Sequence, residues 1–149
     1  MAWLHRFQQL LSRGKDSSTK PEIHRLGEWG ETRAAAYLKK KGFKLLGRNI
    51  RIDRDEIDLL MRQGEQMIFV EVKTRKSETF GRPSNAVGAA KRKKLQRAAK
   101  GYLRKINPKP TYIRFDVVEV IGQPDAADPP EIRHLENVFN AGTSWDARW

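Results

Sequence analysis

Two short runs hold the residues best suited to chemistry: Glu56-Ile57-Asp58 and Glu71-Val72-Lys73. Between them Gly64-Glu65 predicts a two-residue turn with Gly first, the arrangement a type II′ hairpin favours. Opposed residue numbers in that hairpin sum to 129. Ile57 then faces Val72, Leu59 faces Val70 and Met61 faces Ile68, one apolar face that supports the register. The other face sets Asp58 opposite Glu71, Glu56 opposite Lys73 and Leu60 opposite Phe69. A three-residue turn would shift the register by one and separate Asp58 from Glu71, so coordinates decide between the two.

Directly opposed carboxylates, with β-carbons about 4.5–5.5 Å apart, repel each other. Keeping both ionised in a half-buried place is costly without a cation between them. Their hard oxygens suit Mg²⁺ or Mn²⁺. Lys73 emerges on the same face as Glu71, where it could orient or deprotonate a water. Together these groups match the needs of metal-assisted phosphodiester hydrolysis. The same spacing also fits a surface hairpin with charges paired across strands, Glu56 with Lys73. Spacing alone leaves both readings open.

The chain that must position these groups has 149 residues, 30 Lys plus Arg, 18 Asp plus Glu and no cysteine. That length favours one domain with a sizeable core. Without cysteine there are no disulfides, thiolate metal sites or cysteine nucleophiles. The longest apolar run, five residues, is far short of the roughly 20 a membrane span needs. No apolar signal-peptide core is visible near the N-terminus, so a cytoplasmic location is expected.

The net charge of +12 is unevenly placed. Residues 1–83 contribute +7, residues 84–110 contribute +9 without a single acid, and residues 111–149 contribute −4. One basic segment is what a phosphate-binding face requires, although a solvated lysine-rich helix has the same composition.

Residues 1–20 read as an appendage, with Trp3, Leu4, Phe7, Leu10 and Leu11 at helical spacing. Residues 21–149 read as a single domain. Pro21–Lys41 is a helix stopped by Gly42. Phe43–Asp53, Glu56–Met61 and Met67–Lys73 are strands, and Thr74–Ser84 is a loop. Asn85–Ile106 is a second helix, with Leu95, Ala98, Ala99, Tyr102, Leu103 and Ile106 as its apolar stripe. Tyr112–Ile121 is a strand, and Glu131–Phe139 reads as a last one. The order implies an α/β sandwich: an antiparallel meander, then a helical crossover, expected right-handed, to a parallel strand.

At the two acidic runs the chain resembles the PD-(D/E)XK, or restriction-endonuclease-like, nuclease superfamily, through Asp58, Glu71 and Lys73. The closer likeness is to the YraN-like bacterial family of predicted endonucleases. Gly27, Gly30-Glu31, Ala34, Tyr37-Leu38 and Gly42 match its first helix, and Asn49 and Arg51 its first strand. The stretches 56–60, 69–75 and 114–118 match its later strands, Phe80-Gly81 and Pro83 its loop, and Lys91, Ala99 and Tyr102-Leu103 its basic helix. Asp55 stands where that family usually has Gly.

The resemblance implies a restriction-endonuclease-like α-β-β-β-α-β core with a mixed sheet flanked by helices. It implies a nuclease cutting DNA, structured or branched DNA included. Asp58, Glu71 and the Val72 carbonyl would hold Mg²⁺ (or Mn²⁺), with Glu31 assisting directly or through water. Lys73 would align the attacking water. Glu56 is either a support beside the ligands or the partner of Lys73. Lys91, Arg92, Lys94, Arg97 and Arg75 would meet the nucleic acid.

A non-catalytic nucleic-acid-binding module of the same fold is the alternative, as is a membrane-surface or protein-partner role for residues 1–12. Resolving branched DNA by paired cuts would need a homodimer, and no dimer interface is readable in the sequence. Glu28 lies one turn before Glu31 on a similar helix face. Lys91 either snorkels or reaches a phosphate. Asp116 is expected to pair with a basic neighbour. His5, His24 and His134 share no metal-ligand spacing and carry no catalytic expectation.

Overall fold

A computed structural model describes residues 21–77 and 88–138. The expectations for residues 1–20 and for Phe80, Gly81 and Pro83 lie outside them.

The first helix, α1 (Glu22–Lys40), is followed by β1 (Lys44–Ile52), β2 (Asp55–Gln63) and β3 (Gln66–Arg75). The second helix, α2 (Ala89–Lys105), leads to β4 (Tyr112–Ile121) and β5 (Glu131–Leu135). The five strands form one sheet in the order β1-β2-β3-β4-β5. β3 and β4 run parallel, and every other neighbouring pair is antiparallel. This is the α/β mixed-sheet architecture expected from the sequence.

Local chemistry explains the boundaries. α1 ends because Gly42 adopts a φ of +91°. The Gly42 amide then donates to Lys39 O at 3.0 Å and the Phe43 amide to Leu38 O at 3.1 Å, the paired bonds of a Schellman ending. Phe43 and Leu38 are both buried at that corner. Between β2 and β3, Gly64 has a φ of +58° while Glu65 keeps a negative φ, as a type II′ turn requires. Gln63 pairs Gln66, and the 129 register holds from there to Leu59 and Val70.

Four expected ends move by two residues or more: β2 runs on to Gln63 and β3 to Arg75, which takes Thr74 and Arg75 out of the expected loop. α2 begins at Ala89 rather than Asn85, because Gly88 is extended, with φ −65° and ψ 161°. β5 stops at Leu135 instead of reaching Phe139, and Asn137 turns the chain with a φ of +50°.

Each sheet face has its own core. α1 lays Ala34, Ala35 and Leu38 over Leu59, Met61, Ile68, Val70, Val118 and Val120. α2 lays Leu95, Ala99, Tyr102 and Leu103 over Ile50, Ile57, Leu60, Phe69 and Phe115.

This arrangement overturns three expected pairings, and Ile57 does not face Val72, which packs with the α1-side core. Ile57 belongs to the α2 face, whereas Leu59 belongs to the α1 face. Two residues apart on a regular strand would share a face, so β2 changes sides at Asp58. Its neighbour β1 changes with it: Arg48 pairs Leu59 and Ile50 pairs Ile57, with Asn49 between them at a φ of +48°. The β2–β3 ladder stops at the same level, so Asp58–Glu71 and Glu56–Lys73 are not ladder pairs. Strand alternation predicts neither change, because it assumes an unbroken extended backbone.

Candidate metal and nucleic-acid site

The place where β2 turns over is where the acids collect. The Asp58 carboxylate sits between the parting strands, and its Oδ2 accepts the Val72 amide at 2.8 Å. One carboxylate oxygen from each of Glu31, Glu56 and Asp58 lies within 4.8 Å of the others. Glu71 joins through Asp58, whose carboxyl its charge helps to raise, and it lines the same cleft. The group is therefore larger than the hairpin alone implied. Glu56 stands with the ligand candidates, and its ion pair is with Arg51 at 3.9 Å, not with Lys73.

α1 delivers Glu31 by close packing. A Cβ on the preceding Gly30 would run into the Thr74 side chain of β3, so only glycine lets the helix approach this near. Asn49, at the left-handed position in β1, faces the Glu31 carboxyl and works against its rise. Oε2 of Glu31 is buried with no hydrogen-bond partner. Asn49 matters to the site in a way sequence reasoning missed. The signal available was Asn itself, which tolerates left-handed backbone far better than the residues around it.

Burial and crowding raise Asp58 and Glu31. Asp58 is pushed up to about 8, first by burial and then by the charge of Glu71, which together outweigh the Val72 amide. Burial also raises Glu31 above the ordinary carboxyl range, despite the opposing influence of Asn49. Lys73 moves the other way: burial, then repulsion from Lys91 and Arg75, lowers it in spite of Glu71 and Glu119. Lys73 lies beside Glu119 in the parallel β3–β4 register. Glu119 is 5% exposed, and its Oε1 has no hydrogen-bond partner.

Facing the acids is a cleft of about 690 Å³ between the β2 turnover and the first turns of α2. Asp55, Glu56, Asp58 and Glu71 line one side; Lys91, Lys93, Lys94 and Arg97 line the other, with Arg54 at the edge. Lys91 Nζ meets Glu71 Oε1 at 3.2 Å. Arg97 donates through Nε and Nη2 to the two oxygens of Asp55, at 2.5 and 2.7 Å. The guanidinium expected to track nucleic acid thus clamps α2 to the start of β2, and the acid at the unusual position is its anchor.

Of the expected nucleic-acid residues, Lys91, Lys94 and Arg97 reach the cleft, while Arg92 and Arg75 are not in its lining. Lys93 and Arg54 line it without having been singled out. Their signal was there in the basic run and in the Arg54-Asp55-Glu56 turn, but a run of charges does not say which members point inward.

Asp116 is not part of this site. It is fully buried and holds Arg114 through both oxygens at 2.8 Å, as expected. It also accepts His134 Nε2 at 2.7 Å and the Asn137 amide at 2.9 Å. Lys41 Nζ lies 2.8 Å from His134 Nδ1; because an ammonium can only donate, it leaves Nε2 as the protonated nitrogen facing Asp116. That network ties β4, β5 and the end of α1 together.

Comparison with known proteins adds a family. The model of "Uncharacterised protein family UPF0102" matches residues 30–120. A UPF0102 protein of Symbiobacterium thermophilum is 43% identical over 117 residues, covering 78% of this chain and 98% of the relative. Another, from Syntrophotalea carbinolica, is 44% identical over 115 residues, covering 77% of this chain and 91% of the relative. A third, from Caldanaerobacter subterraneus, is 41% identical over 114 residues, covering 76% and 93%. The matched stretch contains the acidic cluster and the basic helix.

Proposed function

The chain belongs to the UPF0102 family, and from that premise we propose that it is a divalent-metal-dependent nuclease hydrolysing phosphodiester bonds in DNA, with structured or branched DNA among its candidate substrates. The observation that carries this reading is the convergence of Glu31, Glu56 and Asp58 at the acidic side of a cleft that Glu56, Asp58 and Glu71 line and whose far wall is basic. The likeness of Asp58, Glu71 and Lys73 to the PD-(D/E)XK pattern supports it.

The donor set fits Mg²⁺ or Mn²⁺. All its side-chain ligands are carboxylate oxygens, and the buried Glu31 Oε2 lacks a partner that a cation would supply. Asp58, Glu71 and Glu31 would hold the ion. On a strand, a residue's N–H and C=O leave on the same edge, so the Val72 carbonyl is on the side where its amide meets Asp58. A divalent cation bound here would polarise the phosphate and acidify a water.

The chain's own groups divide the remaining work. Lys73, held below its ordinary range, is suited to orient a water and exchange a proton with it. Lys91, Lys93, Lys94 and Arg54 offer charge to phosphate oxygens along the cleft. Arg97 stands apart from them, because Asp55 already engages its guanidinium through two hydrogen bonds.

The test is cleavage of single-stranded, duplex and branched DNA across Mg²⁺ and Mn²⁺, with Asp58→Asn as control. Metal-dependent cutting that vanishes in the variant supports the proposal. Binding without cutting by the intact chain would favour a non-catalytic module.

A further inference from the structure

The acidic cluster contains an ion pair that a metal-binding role does not by itself explain. Glu71, whose side chain is 18% exposed, is paired with Lys91 Nζ at 3.2 Å. Lys91 comes from the first turn of α2, across the cleft, and its side chain is 56% exposed. A long, solvent-reaching lysine thus places its ammonium on a carboxylate that metal binding also needs.

We infer that Lys91 is a tethered counter-cation, which neutralises Glu71 in the metal-free protein and is released to a substrate phosphate when a divalent ion takes its place. The exchange rests on the metal-site reading and adds a competition to it. Four acids crowd one corner, and their repulsion needs positive charge whether or not a metal is present. Lys91 supplies one charge at Glu71. A divalent ion on the same carboxylate supplies two and repels the ammonium beside it.

Once displaced, Lys91 has somewhere to go. Its flexible stem opens onto the same cleft of about 690 Å³, beside Lys93 and Lys94. A phosphate held there would meet an ammonium that the metal has just freed. Metal and nucleic acid therefore favour each other's binding, and each disfavours the Lys91–Glu71 pair. Lys91 acts as a positioning residue in this exchange and not as a proton donor.

The experiment is calorimetric titration of the full chain with Mn²⁺, as wild type, Lys91→Met, Lys91→Arg and Asp58→Asn. Lys91→Met is expected to bind Mn²⁺ about fivefold more tightly than wild type, the equivalent of one modest ion pair. Lys91→Arg keeps the charge and should match wild type, which also checks that the position tolerates substitution. A second readout is anisotropy of labelled duplex DNA with Ca²⁺ or with EDTA: Ca²⁺ should strengthen binding more in wild type than in Lys91→Met.

Mn²⁺ affinity of Lys91→Met equal to or below wild type, or an equal Ca²⁺ increment in both, overturns the exchange. If that happens while Asp58→Asn still loses Mn²⁺, the metal site survives and only the exchange fails. If wild type takes up no Mn²⁺, or Asp58→Asn binds it unchanged, the metal-site reading fails and the exchange fails with it.

Discussion

Asp58 and Val72 are joined where their strands part: Asp58 Oδ2 accepts the Val72 amide at 2.8 Å, just beyond the last ladder pair, Leu59 with Val70. A side-chain acceptor takes the place of a main-chain one, so the strands can separate without leaving that amide unsatisfied. The gap so made admits Glu31 from α1 and Glu56 from β2.

The crowding should be visible in stability before any metal is added. Asp58 is pushed up to about 8 in the folded chain, against about 3.9 in an unfolded one. Across that window the folded state holds a proton that the unfolded state has released, so stability falls as pH rises. Denaturant titrations in EDTA at pH values of about 5, 6.5 and 8 should show this decline in wild type and a flatter profile in Asp58→Asn. Parallel profiles would mean that Asp58 ionises normally.

Gly30 sets the distance between α1 and the sheet. Gly30→Ala should cost about 1–3 kcal/mol from overpacking against Thr74 and should weaken Mn²⁺ binding by moving Glu31. Thr74→Ala in the same chain should recover part of both losses. Denaturation midpoints and metal titration of the single and double variants measure the coupling.

Nucleic-acid affinity should depend steeply on salt if the cleft's cations meet phosphates. Alanine at Lys93 or Lys94, both in the cleft lining, should reduce the slope of log K against log salt by about one each. Alanine at Arg92, outside the lining, should change it less. Equal slopes in all three would place the contact surface elsewhere.

Asp116 should matter to folding and not to metal binding. Asp116→Asn should cost about 3–5 kcal/mol, because it strips a buried charge from Arg114 and from His134. Burial alone would raise Asp116, but the His134, Arg114 and Asn137 hydrogen bonds outweigh it and hold it low. Its contribution is therefore present above the unfolded value of about 3.9 and disappears as pH falls through the lower folded value. Acid unfolding of wild type and variant should converge there, while Mn²⁺ affinity at neutral pH stays alike.

The strands, both helices and the 129 register were legible in the sequence because each has a periodic apolar signature or a glycine at its end. The two-residue turn at Gly64 was enough to place Leu60 opposite Phe69 and Met61 opposite Ile68. It could not show that β2 turns over at Asp58, since that depends on the left-handed Asn49 in the neighbouring strand. Glu31 was legible only through its Gly30 neighbour and the family likeness. Arg97 read as one more cation in a basic run, because its partner Asp55 lies 42 positions away in sequence. Lys91 was recognisable as sitting near the core stripe, but its ion pair with Glu71 is a tertiary fact.

Whether these carboxylates hold a metal that cuts phosphodiester bonds is measured most directly by cleavage of labelled branched and duplex DNA. Wild type and Asp58→Asn are compared with Mg²⁺, with Mn²⁺ and with EDTA. Wild type should cut in either metal and not in EDTA, and the variant should lose at least about a hundredfold while still binding DNA as wild type does in EDTA. Cleavage by Asp58→Asn at the wild-type rate, or by wild type in EDTA, would contradict a metal-dependent nuclease built on this cluster.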